Sequence, residues 1–347
     1  RHYVFNNGSS EYIGYAPSVM ANDQLTWETT DQWNVGVDFG FLKNRINGTV
    51  EFYLQNTKDL LLKRQLPVVS GFSSVMSNVG STRNKGIEIT LNTRNIMNRN
   101  FTWSTDLTFS ANKEEIVELY NGKTDDVGNL WFIGQPIDVY YNYKKIGIWQ
   151  NTENDLAEMA KFNEKGANFK PGSIRLEDVD GDYKITEEDK QILGSVRPKF
   201  VASMVNNFEF KGFDLSVFLY ASVGGLLRNN IEFMEKPGRG NTVKVDYWTP
   251  TNPTNAFPRP SVDVEKLDYI STLGYDKADF LRIRNITLGY TLPEMWSKKV
   301  LMDKIRIYLS ANNPAIFTNF TGIDPEGANG RTAPSYSTWM FGINLSM

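Results

Sequence analysis

Apolar and polar residues alternate along this chain with a period of two. In 33–41, WNVGVDFGF, the apolar set is Trp33, Val35, Val37, Phe39 and Phe41. Between them lie Asn34, Gly36, Asp38 and Gly40. After a tight turn at Lys43-Asn44, Ile46, Val50, Phe52 and Leu54 alternate with Asn47, Thr49, Glu51 and Tyr53. The pattern returns in 87–92, in 101–110 (Phe101, Trp103, Leu107 and Phe109 against Thr102, Ser104, Asp106, Thr108 and Ser110), in 200–210 and in 303–311. It closes the chain in 339–347, with Trp339, Phe341, Ile343, Leu345 and Met347 against Met340, Gly342, Asn344 and Ser346. A strand turns successive side chains to opposite faces, so each run has one apolar and one polar face. In 281–292 the parity switches, from Leu281 and Ile283 to Ile286, Leu288 and Tyr290. A β-bulge near Arg284-Asn285 produces such a switch.

The expected fold is therefore all-β and antiparallel. The alternation by itself fits a soluble sandwich or barrel as well as a membrane barrel. Three features favour the second. Several runs last about nine to eleven residues, the length a tilted strand needs to cross a bilayer. The polar positions carry Asn, Thr, Ser, Gly and Asp, which suit a wet lumen. The apolar positions are often aromatic, as in interfacial girdles. No run of 18 apolar residues is present, so no transmembrane helix is expected, which says nothing against a barrel.

Connection lengths carry the same message. Those at 43–45, 95–100, 211–212 and 293–302 are short, whereas those at 57–83, 113–199, 223–278 and 314–335 are long. Such alternation is expected of tight periplasmic turns and large outer loops. The segment 139–149, VYYNYKKIGIW, reads as a strand but would invert every later crossing. Either it pairs with a second strand in 126–133, or it extends a hairpin outside the membrane. Nine crossings are then secure, an odd number, whereas bacterial single-chain barrels have even ones. An open sheet edge in lipid leaves backbone groups unpaired, so residues 1–347 are not expected to close alone. The chain starts at Arg1 without a signal peptide and reads as processed or partial.

Composition removes other classes. With 37 basic and 40 acidic residues, the net charge of −3 offers no basic face for nucleic acid. There is no cysteine, hence no disulfide, thiol nucleophile or thiolate metal site. The single histidine is His2, which excludes triads and His-based zinc sites. No enzyme is expected. The adjacent carboxylates Glu187-Glu188 and Glu114-Glu115 point apart rather than across a cleft and read as solvated faces. Trp131, Phe132, Tyr247 and Trp248 could stack on sugar rings or pack within long loops. Gly224-Gly225 lacks the context of a phosphate loop and reads as a break after a strand.

One motif carries metal chemistry. Residues 178–189, DVDGDYKITEED, place Asp178, Asp180, Asp182 and Asp189 at the first, third, fifth and twelfth positions of a calcium-type loop. Lys184, at the seventh, would offer its backbone carbonyl. Hard oxygen ligands at this spacing suit calcium rather than zinc. Calcium is thus the expected cofactor, in a structural role. The same spacing also reads as a solvated acidic turn without an ion, and Tyr183 occupies the sixth position, where glycine eases the turn. Thr186 is placed to cap a short helix, 187–193, with Asp189 at its third position.

Longer strings bring a family into view: TWETTDQWNVGVDFGFLKNRINGTVEFY (26–53), NVGSTRNKGIEITLNTRNI (78–96), the stretch from IRLEDVDGDYKITEEDK through SVFLYASVGG (174–225), ADFLRIRNITLGYTLP (278–293) and WMFGINLSM (339–347). In these, and in their order, the chain resembles the C-terminal half of the barrel in SusC-like (SusC/RagA) TonB-dependent transporters of the Bacteroidota outer membrane. The resemblance covers nearly the whole chain. It implies an antiparallel transmembrane barrel of about 22 strands with a plugged lumen, of which residues 1–347 are the C-terminal part. It implies long extracellular loops, with 113–199 carrying the acidic loop at 178–189, and a multi-pass outer-membrane location. It also implies a SusD-like surface lipoprotein as lid, energy from TonB–ExbB–ExbD through a plug, and oligosaccharide or peptide cargo. The chain departs from the family pattern at Tyr183, where the family usually has glycine, and at the terminal Met347, where an aromatic is more usual. Two other readings stay open: a structural barrel subunit of a larger outer-membrane assembly, and a secreted all-β glycan-binding module. An intact TonB box and plug upstream would separate the first from an importer, and solubility without detergent would mark the second.

Overall fold

The computed structural model describes residues 2–6, 11–15, 19–229, 245–261, 267–326 and 335–347. Parts of the long connections 223–278 and 314–335 lie outside the described residues. Nine long strands make one sheet: β1 (Thr29–Phe41), β2 (Ile46–Lys58), β3 (Ser81–Met97), β4 (Phe101–Glu118), β5 (Phe200–Phe210), β6 (Phe213–Val223), β7 (Phe280–Thr291), β8 (Lys304–Thr318) and β9 (Thr338–Ser346). Each is hydrogen-bonded to its neighbour in chain order, from β1 at one edge to β9 at the other. The pairings from β5 to β9 are antiparallel throughout. The nine expected crossings are these strands.

Connections alternate as the sequence predicts, short at 42–45, 98–100, 211–212 and 292–303 and long at 59–80, 119–199, 224–279 and 319–337. Strand β4 differs from expectation by running on to Glu118, so the connection expected from residue 113 leaves the sheet only at Leu119. The added length has a cause: Ile116 is buried, donates its backbone N–H to Gln135 at 2.9 Å and bridges Ile133. The expected bulge is present. Ile283 pairs with Ala315 and Asn285 with Asn312, while on the other side Phe218 pairs with Asn285 and Leu219 with Ile283. Arg284 is therefore the extra residue against β6, and the parity of β7 reverses there.

The segment 139–149 joins neither the nine-stranded sheet nor 126–133. Val139–Tyr143 pairs with Lys190–Ser195, and Lys145–Ile148 pairs with Ile174–Leu176, in two small antiparallel sheets. The expected helix 187–193 is a single turn, Glu187–Asp189, because Lys190 already enters that strand pairing.

The chain divides into two compact units. The first comprises Arg1–Gly40, Asn47–Thr90 and Ser110–Ile137. Within it, Val19–Met20, Ser74–Asn78 and Leu61–Gln65 form a small sheet, and the strand pair β1 and β2 carries polar contacts between Asp38 and Thr49 (2.6 Å) and between Thr30 and Thr57 (3.0 Å). Tyr53 lies over Gly86, where an added Cβ would sit 2.5 Å from the ring.

The second unit comprises Phe41–Ile46, Leu91–Phe109 and Asp138–Met347. Its registers place Leu288, Leu309 and Phe341 side by side, and likewise Tyr290, Ile307 and Ile343. This face is apolar and open: Phe341 is 70% exposed, Ile343 53% and Leu345 60%. The opposite face is polar and knitted together. Thr108 meets Ser203 at 2.6 Å, Ser216 donates to Asn207 at 2.8 Å, and Asn285 donates to Ser310 and Asn312 at 2.9 and 2.7 Å. Arg306 donates to Asp214 across Gly289, whose missing Cβ leaves room for both side chains. The side chains of Asp214, Arg306 and Tyr308 cross this face over glycines, because any Cβ at Gly289 or Gly342 would overlap them.

The distribution of burial inverts that of a soluble sheet. Among the described residues, only Ile116, Phe280 and Ala311 of the buried apolar side chains lie on the nine long strands. The rest sit in the connections, while the apolar face of the sheet stays open. An apolar surface of this extent marks contact with lipid or protein. On the lipid reading, Ile343→Arg in the whole protein costs about 2–4 kcal/mol in a denaturant titration from vesicles, as for a cation at the bilayer midplane. Asn344→Arg, on the polar face, costs far less. Equal costs at the two positions would contradict the register.

Candidate functional site: an acidic loop and a buried arginine cluster

The acidic loop sits in a layer built by parts of two long connections, within residues 143–185 and 248–273. One cluster there packs Ile148, Ile174 and Leu176 against Trp248, Ile270 and Leu273. A second packs Trp149, Met159, Phe162 and Phe169, with Tyr183, Ile185 and Tyr269 against it. The helix α1 (Glu153–Glu164) supplies Met159 and Phe162 and is capped by Thr152, which accepts from the Asp155 N–H. Arg175 stacks 4.3 Å from the Trp149 ring centre and pairs with Asp155 (3.2 Å) and Glu158 (2.5 Å). Lys145 donates to the Asn255 and Ala256 carbonyls, both at 2.7 Å, and burial lowers its pKa. Each connection is thus pinned to the other by core and hydrogen bonds.

Within 178–189 the structure brings Asp178, Asp180 and Asp182 together, with one oxygen of each within 4.8 Å of the others. Backbone N–H groups orient them: Gly181 and Tyr183 donate to Asp178 (both 2.9 Å), Asp182 to Asp180 (3.1 Å) and Lys184 to Asp182 (2.7 Å). Among the described residues Lys184 shows only this backbone contact, and its side chain is exposed. Asp189 stands apart from the group of three. It is fully buried and accepts from Val179 (2.8 Å) and Thr186 (2.7 Å), the latter completing the expected capping box with Thr186. It therefore braces the loop from inside. Tyr183 takes the left-handed conformation at φ 63°, which glycine adopts more easily. Its ring offsets that cost by packing edge-on against Phe162 at 5.4 Å, under the Lys161 ammonium at 5.0 Å. Next to the loop, Tyr143 donates to Glu187 (3.2 Å), and its pKa is pushed up to about 12 by burial and then by the Glu187 charge. It stays a neutral donor at physiological pH.

The aromatic candidates divide. Trp248 is buried and donates its indole N–H to Gln150 at 2.8 Å, and Phe132 is buried. Both pack within loops. Tyr247 is 45% exposed. Glu187 pairs with Lys190, and Glu115 with Arg83 and Lys113, so neither carboxylate pair faces a reacting centre. Gly224 follows β6 at φ 95° and donates to Asp279, as a strand break does.

Sequence reasoning did not single out a buried ionic cluster at the long-connection end of β7. Arg282 is 3% exposed and pairs with Asp324 at 2.8 Å. Its Nε lies 2.7 Å from Glu326 without hydrogen-bond geometry. Glu326 also meets Arg284, whose guanidinium lies 4.8 Å from the Tyr220 ring centre. Asp324 accepts from the Ser335 hydroxyl (2.5 Å) and the Glu326 N–H (3.0 Å). Burial pushes the Asp324 pKa up, but the hydrogen bonds from Ser335, Glu326 and Arg282 outweigh it and hold the carboxyl below its ordinary value of 3.8. The signal in sequence was two arginines, Arg282 and Arg284, inside a strand.

Known proteins place this architecture. The family model for the TonB dependent receptor-like β-barrel matches residues 3–314. The chain is 32% identical to TonB-dependent receptor P3 of Formosa agariphila over 97% of its length and 36% of that protein's. It is 30% identical to TonB-dependent receptor SusC of Bacteroides thetaiotaomicron over 99% of its length and 35% of that protein's. The chain thus spans about a third of the length of the curated relatives it matches. Among solved structures, the RagAB peptide transporter superposes with a TM-score of 0.76 at 24% identity, over 99% of this chain and 38% of that one. The RagAB peptide importer in its open-open state gives 0.75 at 26%, over 100% and 38%. With its nine alternating strands and open apolar face, the chain belongs to the TonB-dependent receptor-like β-barrel family of the outer membrane.

Proposed function

We propose that residues 1–347 are the C-terminal part of the barrel wall of a SusC/RagA-type importer. The reaction is vectorial transport rather than bond chemistry. A TonB–ExbB–ExbD system would drive it through a plug, with a SusD-like lipoprotein as lid and oligosaccharides or peptides as cargo. The observation that carries this reading is the two-faced sheet, with an apolar face open to lipid and a polar face knitted by Asp214, Arg306, Asn285 and Asn312. The RagAB neighbour is a peptide importer, which supports the peptide class, while the oligosaccharide class and the lid rest on the SusC-like resemblance of the sequence. The test is uptake of labelled oligosaccharides and peptides by cells carrying the whole protein with its lipoprotein, with and without TonB. Uptake that falls to the level of a transporter-null strain when TonB is deleted supports import. Uptake independent of TonB overturns it.

The acidic loop would hold one calcium ion through Asp178, Asp180 and Asp182, with the Lys184 carbonyl as a fourth ligand and Asp189 as internal brace or twelfth-position ligand. Three convergent carboxylates repel one another, and a divalent cation offsets that repulsion. An affinity of about 10⁻⁴ to 10⁻³ M suffices for an extracellular site. The ion would stiffen the loop and lower the ordering entropy when the lid docks. Asp182→Ala is expected to abolish calcium binding in calorimetry on the whole protein and to weaken lid docking, while barrel stability stays unchanged. No calcium binding to the unmutated protein at about 10 mM would reduce the motif to an acidic turn.

A further inference from the structure

We propose that the short-connection rim of the sheet is a surface for anionic phospholipid headgroups of the periplasmic leaflet. The inference rests on the outer-membrane placement and goes beyond the import reading. Consecutive strands are neighbours, so the connections β1–β2, β3–β4, β5–β6 and β7–β8 all emerge at one end of the sheet. These four short segments carry Lys43, Arg45, Arg99, Lys211, Lys298 and Lys299, against only Glu294 and Asp303. The rim is therefore cationic in a chain whose net charge is −3.

The cations differ in what holds them. Arg45 is committed to the protein, donating to the Arg94 and Asn95 carbonyls at 3.0 and 2.9 Å. Lys298 pairs with Glu294 at 3.4 Å. Lys43, Arg99, Lys211 and Lys299 are exposed and have no carboxylate partner among the described residues. Lys211 lies 5.3 Å from the Phe210 ring centre.

That contact sets the geometry. The apolar face runs down to the rim through Phe41, Met97, Phe210 and Phe213, each about half exposed or more. Trp296 and Leu301, in the connection 292–303, are also open. An apolar band ending in aromatic rings and then in unpaired ammonium and guanidinium groups matches acyl chain, glycerol level and phosphate in turn. A juxtamembrane cation facing an anionic lipid surface favours it by about fivefold, an effect that four of them share among a few headgroups.

The test uses the whole protein reconstituted in nanodiscs of equal phosphatidylglycerol and phosphatidylethanolamine with the same acyl chains. Native mass spectrometry then counts the lipids retained. The expected result is enrichment of phosphatidylglycerol that falls at least about fivefold in the variant Lys43→Gln, Arg99→Gln, Lys211→Gln, Lys299→Gln. A control with the same charge change in the long connections, Lys123→Gln, Lys165→Gln, Lys170→Gln, Lys277→Gln, keeps the enrichment. If the fourfold variant does not fold, Lys43→Gln with Arg99→Gln gives a smaller fall in the same direction. Equal retention of both headgroups, or equal loss in rim and control variants, overturns the proposal. In a second set of nanodiscs that also contains lipid A, preference for its phosphates over phosphatidylglycerol overturns it as well, because the rim then meets the outer leaflet. Retention of no lipid at all would instead sink the bilayer placement itself.

Discussion

Expressed without further chain, residues 1–347 yield no closed, heat-resistant barrel in detergent. Strands β1 and β9 are the two ends of the sheet order and do not pair with each other among the described residues. Each therefore presents one row of backbone N–H and C=O groups with no strand beside it. In hydrocarbon every such unpaired group costs several kcal/mol, so even a 9-residue edge such as β9 cannot be left open. In water the same edges are templates for aggregation. Gel mobility with and without heating reads the outcome directly. Co-expression with the remaining barrel strands restores the heat-sensitive mobility shift. A folded, heat-resistant monomer of residues 1–347 alone would show that the edges close in a way this sheet order does not contain.

The second large effect is expected at Arg282. Removing one partner of a buried ion pair leaves the other charged and unsolvated, at a cost of about 3–5 kcal/mol. Arg282→Ala in the whole protein therefore destabilises by that amount, since Asp324 is buried and keeps only its neutral donors. The double change Arg282→Met, Asp324→Leu removes both charges and recovers most of the loss. Additive losses in the double variant would contradict the pairing. The pH dependence has a definite sign. The folded pKa of Asp324 lies below its ordinary 3.8, so its contribution is fully present above that value. It is lost as pH falls from about 4 through the folded pKa, and nothing changes between pH 7 and 5. Thermal stability of the wild type falls in that acid window, and the fall is smaller in the double variant.

Much of the sheet was legible in sequence because a strand's two faces are a local property. The run 339–347 announces residue by residue which side chains of β9 share a face, and the parity switch at Arg284-Asn285 announces a bulge. The turn at Lys43-Asn44 is equally local, both residues taking positive φ. What stayed hidden depends on partners far along the chain. Val139–Tyr143 reads as a strand, but its mate Lys190–Ser195 lies some fifty residues later, with a helix and the acidic loop between. The helix expected at 187–193 stopped after one turn for the same reason, since that pairing recruits Lys190 onward. Of the acidic loop, the spacing placed Asp178, Asp180 and Asp182 together, but it does not encode the burial of Asp189, whose carboxylate turns inward to the Val179 and Thr186 N–H groups. Arg282 looked like any polar-face residue, because Asp324 and Glu326 return to it only after a complete hairpin.

The central claim is that one face of this sheet lies in lipid and the other faces an aqueous lumen. Single cysteines at each of residues 339–346 in the whole protein, modified with a fluorophore and exposed to lipid-borne and water-borne quenchers, test it most directly. The account predicts lipid quenching at Trp339, Phe341, Ile343 and Leu345 and aqueous quenching at Met340, Gly342, Asn344 and Ser346. Lipid quenching at Asn344 with aqueous quenching at Ile343, or one quencher acting equally along the whole strand, would contradict it.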